Sequence, residues 1–156
     1  EIERQLDARQ EKYGKEIDEH DFVIRFNKGF IKDGEYQGTR TDLLILACPM
    51  SGNEISMFKP RYVANRSRSY VNKADFTINS YERAVMKNAL GKQPSTGFMA
   101  VNICLTLDAK KIDLYGFDGS GISYPNDPKY KTQHDMKKEL EIYKGYEAVG
   151  LLKIHK

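Results

Sequence analysis

The sequence has 156 residues, 40% of them hydrophobic, with 25 Lys and Arg set against 22 Asp and Glu for a formal charge of +3. That length suits one compact domain over residues 1–156, with a proper core and no room for two ordinary ones. The near balance of charge, spread along the chain rather than massed in a block, argues against a nucleic-acid partner; no stretch approaches the roughly 18 apolar residues of a membrane span, so no transmembrane segment is expected.

Residues Glu1–Tyr13 are charged with few apolar positions and predict a surface helix that Gly14 ends. The run Phe22-Val23-Ile24-Arg25-Phe26, within His20–Asn27, is β-branched and aromatic in the manner of a buried strand. A Gly-rich connection leads from Lys28 to Thr41. Asp42–Cys48 is then a continuous apolar run closed by Pro49 and Ser51-Gly52-Asn53, the pattern of a parallel strand covered on both faces. The basic run Lys59–Arg68 reads as solvated surface. Asn79–Leu90 predicts a helix, with Tyr81, Val85, Met86 and Leu90 at helical spacing before Gly91.

A turn at Pro94-Ser95-Thr96-Gly97 feeds an apolar, helix-length segment, Phe98–Leu107, and Lys111–Phe117 returns as a strand. The polar stretch Asp118–Gln133 is long enough for a functional loop. Asp135–Lys144 predicts a last helix with Met136, Leu140 and Tyr143 on one stripe, stopping at Gly145, and Leu151–Ile154 a short final strand. Helix and strand alternate, which implies an open α/β sheet whose ligands bind beyond the carboxyl ends of its strands. Cys48 and Cys104 lie in apolar surroundings without CxxC or metal-ligand spacing, so they read as small buried side chains.

Two places carry chemistry. The Pro94–Gly97 turn offers two hydroxyls, backbone N–H groups and the positive end of a helix dipole, which together suit a phosphate or carboxylate. The same residues also make an ordinary helix N-cap. His134 lies just before a helix, where the dipole disfavours imidazolium and leaves a proton-accepting ring. Glu139 would be turned from it by about 140° if both stood in one helix, so a direct His–Glu dyad is not expected and Glu139 reads as structural. His20 reads as a hydrogen-bonded structural histidine and Arg25 as the partner of a carboxylate such as Asp42.

Three blocks follow one another in order: Glu16-Ile17-Asp18-Glu19-His20-Asp21-Phe22-Val23-Ile24-Arg25-Phe26-Asn27, then Pro94-Ser95-Thr96-Gly97 leading to Leu114-Tyr115-Gly116-Phe117, then His134 with Glu139. This order resembles the animal-type sialyltransferase family, whose large motif ends in ID-x-HD-x-V-x-R-x-N, whose small motif runs from PS-[ST]-G to LYGF, and whose last motif is H-x4-E. The resemblance spans residues 16–144.

It implies a Rossmann-like glycosyltransferase domain with a mostly parallel sheet, cut at its N-terminus so that the family's first strand is missing. It also implies inverting, metal-independent transfer of sialic acid from CMP-sialic acid to a glycan acceptor ending in galactose, without a cofactor. By position, Asn27 would contact the CMP moiety, Ser95, Thr96 and Gly97 would hold the nucleotide and the sialic acid carboxylate, and His134 would be the general base. The family's third motif corresponds to Ser123-Tyr124-Pro125-Asn126, where Tyr124 would donate to the departing phosphate. The cysteines that join the large and small motifs in the animal enzymes are not at their positions, which fits a reducing compartment in a microbial or viral relative; a eukaryotic member would work in the Golgi lumen. In keeping with a single-phosphate donor, the sequence has no Asp-x-Asp. Two other readings remain: a catalytically silent nucleotide-sugar or glycan-binding module, and a transferase of the same fold that uses another nucleotide sugar.

Overall fold

A computed structural model describes residues 11–66, 74–78, 80–117 and 132–155. The chain divides into two compact units, Glu1–Asn79 and Ser80–Lys156.

In the first unit the elements are α1 (Gly14–Asp18), β1 (Ile24–Phe26), α2 (Gly34–Gln37), β2 (Leu43–Leu46), α3 (Gly52–Ser56), β3 (Tyr62–Asn65) and β4 (Phe76–Thr77). The strands form a four-stranded sheet in the order β1-β2-β3-β4, every pairing parallel, with Ile24 opposite Leu43 and Leu43 opposite Tyr62. The α/β class with a parallel sheet is therefore as the sequence implies, and is consistent with a Rossmann-like glycosyltransferase fold. All four residues of β2 are buried, as a strand flanked on both sides and covered on both faces must be. Leu44, Leu46, Met50 and Phe58 form the core of this unit, with Phe30 stacked on Phe58 at 5.4 Å.

Several expectations are corrected here. The apolar run around β1 is not a buried strand: β1 lies at one end of the described sheet, its residues are only half-buried, and Phe22 is 48% exposed. Of the helix expected over Glu1–Tyr13, residues 1–10 lie outside the described residues, and Gly14 opens a helix instead of ending one. The reason is steric. A Cβ on Gly14 would strike the backbone carbonyls of Gly34 and Glu35, so glycine there lets α1 and α2 touch backbone to backbone. Part of the basic run Lys59–Arg68 is strand β3, whose Ala64 and Asn65 are buried. The connection after β2 contains α3, closed by a capping box in which Ser51 Oγ accepts from the Glu54 amide at 3.2 Å and Glu54 Oε2 from the Ser51 amide at 2.7 Å.

Residues of the block Glu16–Asn27 brace the loops of this unit. Asp18 accepts the amides of Thr39 and Arg40, each at 2.9 Å, and the Thr39 hydroxyl at 3.1 Å. Burial pushes the Asp18 carboxyl up, but these donors outweigh it and its pKa is lowered. Arg25 does not pair with Asp42. Its guanidinium donates to the carbonyls of Arg40 and Gln37 and to Thr41 Oγ1, while Asp42 pairs with Arg40 at 3.0 Å and takes the Val23 amide at 2.8 Å. Burial lowers the Arg25 pKa, and Asp18 draws it partly back. His20 Nδ1 donates to the Glu16 carbonyl at 2.7 Å, the structural bond expected of it.

The second unit holds α4 (Ser80–Leu90), α5 (Thr96–Thr106), β5 (Asp113–Tyr115), α6 (Met136–Ala148) and β6 (Lys153–His155), with β5 and β6 paired in parallel. Its core is Leu90, Phe98, Val101, Leu114, Tyr143 and Leu152. On α4 the expected stripe turns away in part: Leu90 is buried, but Tyr81 is 72% and Val85 50% exposed. Helix α6 runs through Gly145 to Ala148, because Gly145 keeps helical bonding, its carbonyl accepting from Val149 at 3.3 Å; the left-handed residue that follows the helix is Gly150. The face of α6 turned inward is set by Glu139 and Tyr143, with Met136 and Leu140 only half-buried. Cys48 and Cys104 are free thiols, half-buried, and burial raises the pKa of both.

Candidate active site

The Pro94–Gly97 turn is built as a helix start. Ser95 has extended backbone angles and its hydroxyl accepts from the Phe98 amide at 3.1 Å, so it caps α5. Its remaining donors are also engaged. The Ser95 amide donates to Glu139 Oε1 at 2.7 Å, and the Ser95 hydroxyl to Glu139 Oε2 at 2.6 Å. Glu139 is 1% exposed, and its place in the first turn of α6 sets a negative side chain at the positive end of that helix. Ser95 therefore has no unengaged donor for a ligand. Tyr143, one turn further along α6, is buried beside this pair; burial and the nearby Glu139 carboxylate push its hydroxyl pKa far up, and by geometry the hydroxyl has no hydrogen-bond partner among the described residues.

Thr96 and Gly97 are the first two residues of α5, so their amides have no acceptor within the helix. Both are buried. A Cβ on Gly97 would lie 2.7 Å from Cε1 of Phe117, so the last residue of the LYGF block packs directly on the glycine of the turn. The spacing Pro94–Gly97 and Leu114–Phe117 thus places two parts of one motif in contact.

His134 stands just ahead of Asp135, whose carboxylate caps α6 by accepting from the Lys138 amide at 3.1 Å. The ring is half-buried, and Nδ1 lies 2.8 Å from the Gln93 carbonyl oxygen. A carbonyl only accepts, so Nδ1 carries the proton and donates, and in the neutral ring Nε2 keeps its lone pair. Residues 134 and 139 make no bond to one another; each holds a different residue of the same turn. The sequence reading missed this use of Glu139, although a glutamate on the apolar stripe of a helix is itself a signal that a buried donor awaits it.

Asn27 follows β1 with φ 49°, a left-handed conformation that asparagine tolerates. Its amide nitrogen on the backbone donates to the Ile45 carbonyl at 3.0 Å, and its side-chain oxygen accepts the Ala47 amide at 2.6 Å, so it ties together the carboxyl ends of β1 and β2. Its side-chain NH2 makes no hydrogen bond among the described residues. Tyr124 lies outside the described residues, as does most of the loop from Asp118 to Gln133.

Residues 8–66 match the family model of glycosyltransferase family 29 (sialyltransferase). The match contains the block Glu16–Asn27, and it supports a sialyltransferase-type glycosyltransferase on grounds separate from the turn and the histidine of the second unit. No curated protein matches the chain. No helix among the described residues is long and apolar enough to cross a membrane.

Proposed function

We propose that the protein is a sialyltransferase that moves sialic acid from CMP-sialic acid to a hydroxyl of a terminal galactose, with inversion and without a metal, and that His134 is the general base. The observation that carries this reading is the His134 Nδ1–H bond to the Gln93 carbonyl, which leaves Nε2 as the acceptor for the proton of the attacking hydroxyl. The match of residues 8–66 to family 29 supplies the class of reaction. Asn27, through its side-chain NH2, and Tyr124 are assigned to the donor on the resemblance alone. At the turn the donor-facing groups are the amides and hydroxyl of Thr96 and Gly97, and Ser95 acts by capping α5 rather than by touching the ligand.

His134→Ala tests the reading, because a positioned base contributes about 10²–10⁴-fold to rate. With saturating CMP-sialic acid and a galactoside acceptor, turnover should fall by at least about 10²-fold while CMP affinity in calorimetry stays unchanged. A loss below about tenfold removes the base role. A second reading, a silent nucleotide-sugar or glycan-binding module, draws on the engagement of both Ser95 donors by Glu139. It predicts CMP binding with no transfer to any acceptor.

A further inference from the structure

The first turn of α6 and the residue ahead of it grip the segment between α4 and α5 at successive points. Lys138 Nζ donates to the Leu90 carbonyl at 2.9 Å, His134 Nδ1 to the Gln93 carbonyl at 2.8 Å, and Glu139 takes the amide and hydroxyl of Ser95 at 2.7 and 2.6 Å. Gln93 and Ser95 are separated only by Pro94, which is fully buried and whose ring fixes its φ. With so stiff a link, the direction of the Gln93 carbonyl depends on where Ser95 is held. The Gln93 carbonyl is in turn the sole described partner of the His134 ring.

We propose that Glu139 is a positioning residue for the base: by holding Ser95 it aims the Gln93 carbonyl, and so fixes the tautomer and heading of the His134 imidazole. This rests on the reading of His134 as the base, but its geometry can be read without any turnover. The neutral ring of an unconstrained histidine side chain favours the proton on the other nitrogen, Nε2, which would leave the outward atom a donor and useless as a base. The backbone carbonyl does here what a carboxylate does in a serine hydrolase triad, and Glu139 supports it from one residue further along the turn.

The test uses the full chain with isotope-labelled histidine, the ring nitrogens being correlated with the ring carbon protons at mildly alkaline pH. A His134→Gln variant assigns the signals apart from those of His20 and His155. In the wild type His134 should show a protonated Nδ1 and a bare Nε2. In Glu139→Gln, which keeps the size of the side chain, the ring should pass to a mixture dominated by the Nε2–H form, and turnover should fall on the order of 10²-fold with donor KM unchanged. Should that variant fail to fold, Ser95→Ala makes the same comparison, since it removes the hydroxyl bond and leaves the amide bond. A wild-type ring protonated on Nε2, or folded variants that keep the wild-type tautomer, would overturn the proposal. Absence of transfer in the wild-type chain counts against the sialyltransferase reading and leaves the tautomer comparison to decide this one.

Discussion

Replacing Ser95 by alanine deletes one oxygen that serves two bonds, accepting from the Phe98 amide at 3.1 Å and donating to Glu139 at 2.6 Å. Loss of an N-cap acceptor costs about 1 kcal/mol. Loss of a hydrogen bond to a charged group costs about 1.5–3 kcal/mol. Ser95→Ala should therefore destabilise the protein by about 2.5–4 kcal/mol. At about 2–4 °C per kcal/mol for a chain of this size, Tm falls by roughly 5–16 °C. The sharper quantity is the coupling between the two side chains. Once the hydroxyl is gone, Glu139→Gln has less to lose, so the double variant should fall short of the sum of the singles by about 0.5–3 kcal/mol. Urea unfolding of the four proteins, with slopes that stay equal, measures it. Additivity within about 0.3 kcal/mol would refute the direct bond and the clamp built on it.

Gly97→Ala brings a Cβ to 2.7 Å from Phe117, so it should cost about 1–3 kcal/mol by overpacking, part of which Phe117→Leu restores; a variant as stable as the wild type in thermal unfolding removes the contact. The Asp18 pKa is lowered in the folded state, so its contribution is complete above the ordinary carboxylate value of about 4 and is lost as pH falls through the lower folded value. Asp18→Asn should accordingly destabilise the chain at neutral pH, and the gap from wild type should close in acid. A gap that stays constant with pH contradicts the assignment. Transfer activity should persist in excess EDTA, and a requirement for added Mg²⁺ or Mn²⁺ would argue against the proposed metal-independent reaction.

The parallel α/β class, strand β2, helix α5 and the Ser95 cap were legible because each rests on a local signal: an unbroken apolar run, or a hydroxyl set before an apolar helix. Elements set by tertiary contact were not. Gly14 carries the residue type of a helix end, yet it opens α1, because what decides it is the approach of the Gly34 carbonyl from another part of the chain. Arg25 and Asp42 are a plausible pair by charge, but Arg40 reaches Asp42, and backbone carbonyls, which no charge pattern reveals, take Arg25. Strand β3 was hidden by the arginines around it. At the site, the residue types of the turn and of His134 could be read from sequence, while the partner of each could not: Ser95 offers the same letters whether it faces a phosphate or a glutamate.

The choice of a backbone carbonyl as the partner of His134 has a chemical consequence of its own. A carboxylate behind an imidazole does two things, fixing the tautomer and adding a negative charge that stabilises the ring once it is protonated. A carbonyl fixes the tautomer and adds only a dipole. The carboxylate of this motif, Glu139, is instead held on Ser95, where its charge is met by an amide, a hydroxyl and the start of α6. On the proposed reading the two residues divide what a triad places on one: His134 would handle the proton, and Glu139, held on Ser95, would handle the geometry without lending its charge to the ring. If His134 is the base proposed above, such an arrangement would suit the proposed transfer, in which the departing phosphate would carry much of the bond-breaking and the hydroxyl would lose its proton late, since the ring would then need correct aim more than added basicity. Introducing a carboxylate at the Gln93 end would not improve such a site, because the atom facing His134 there belongs to the main chain and no side-chain substitution removes it.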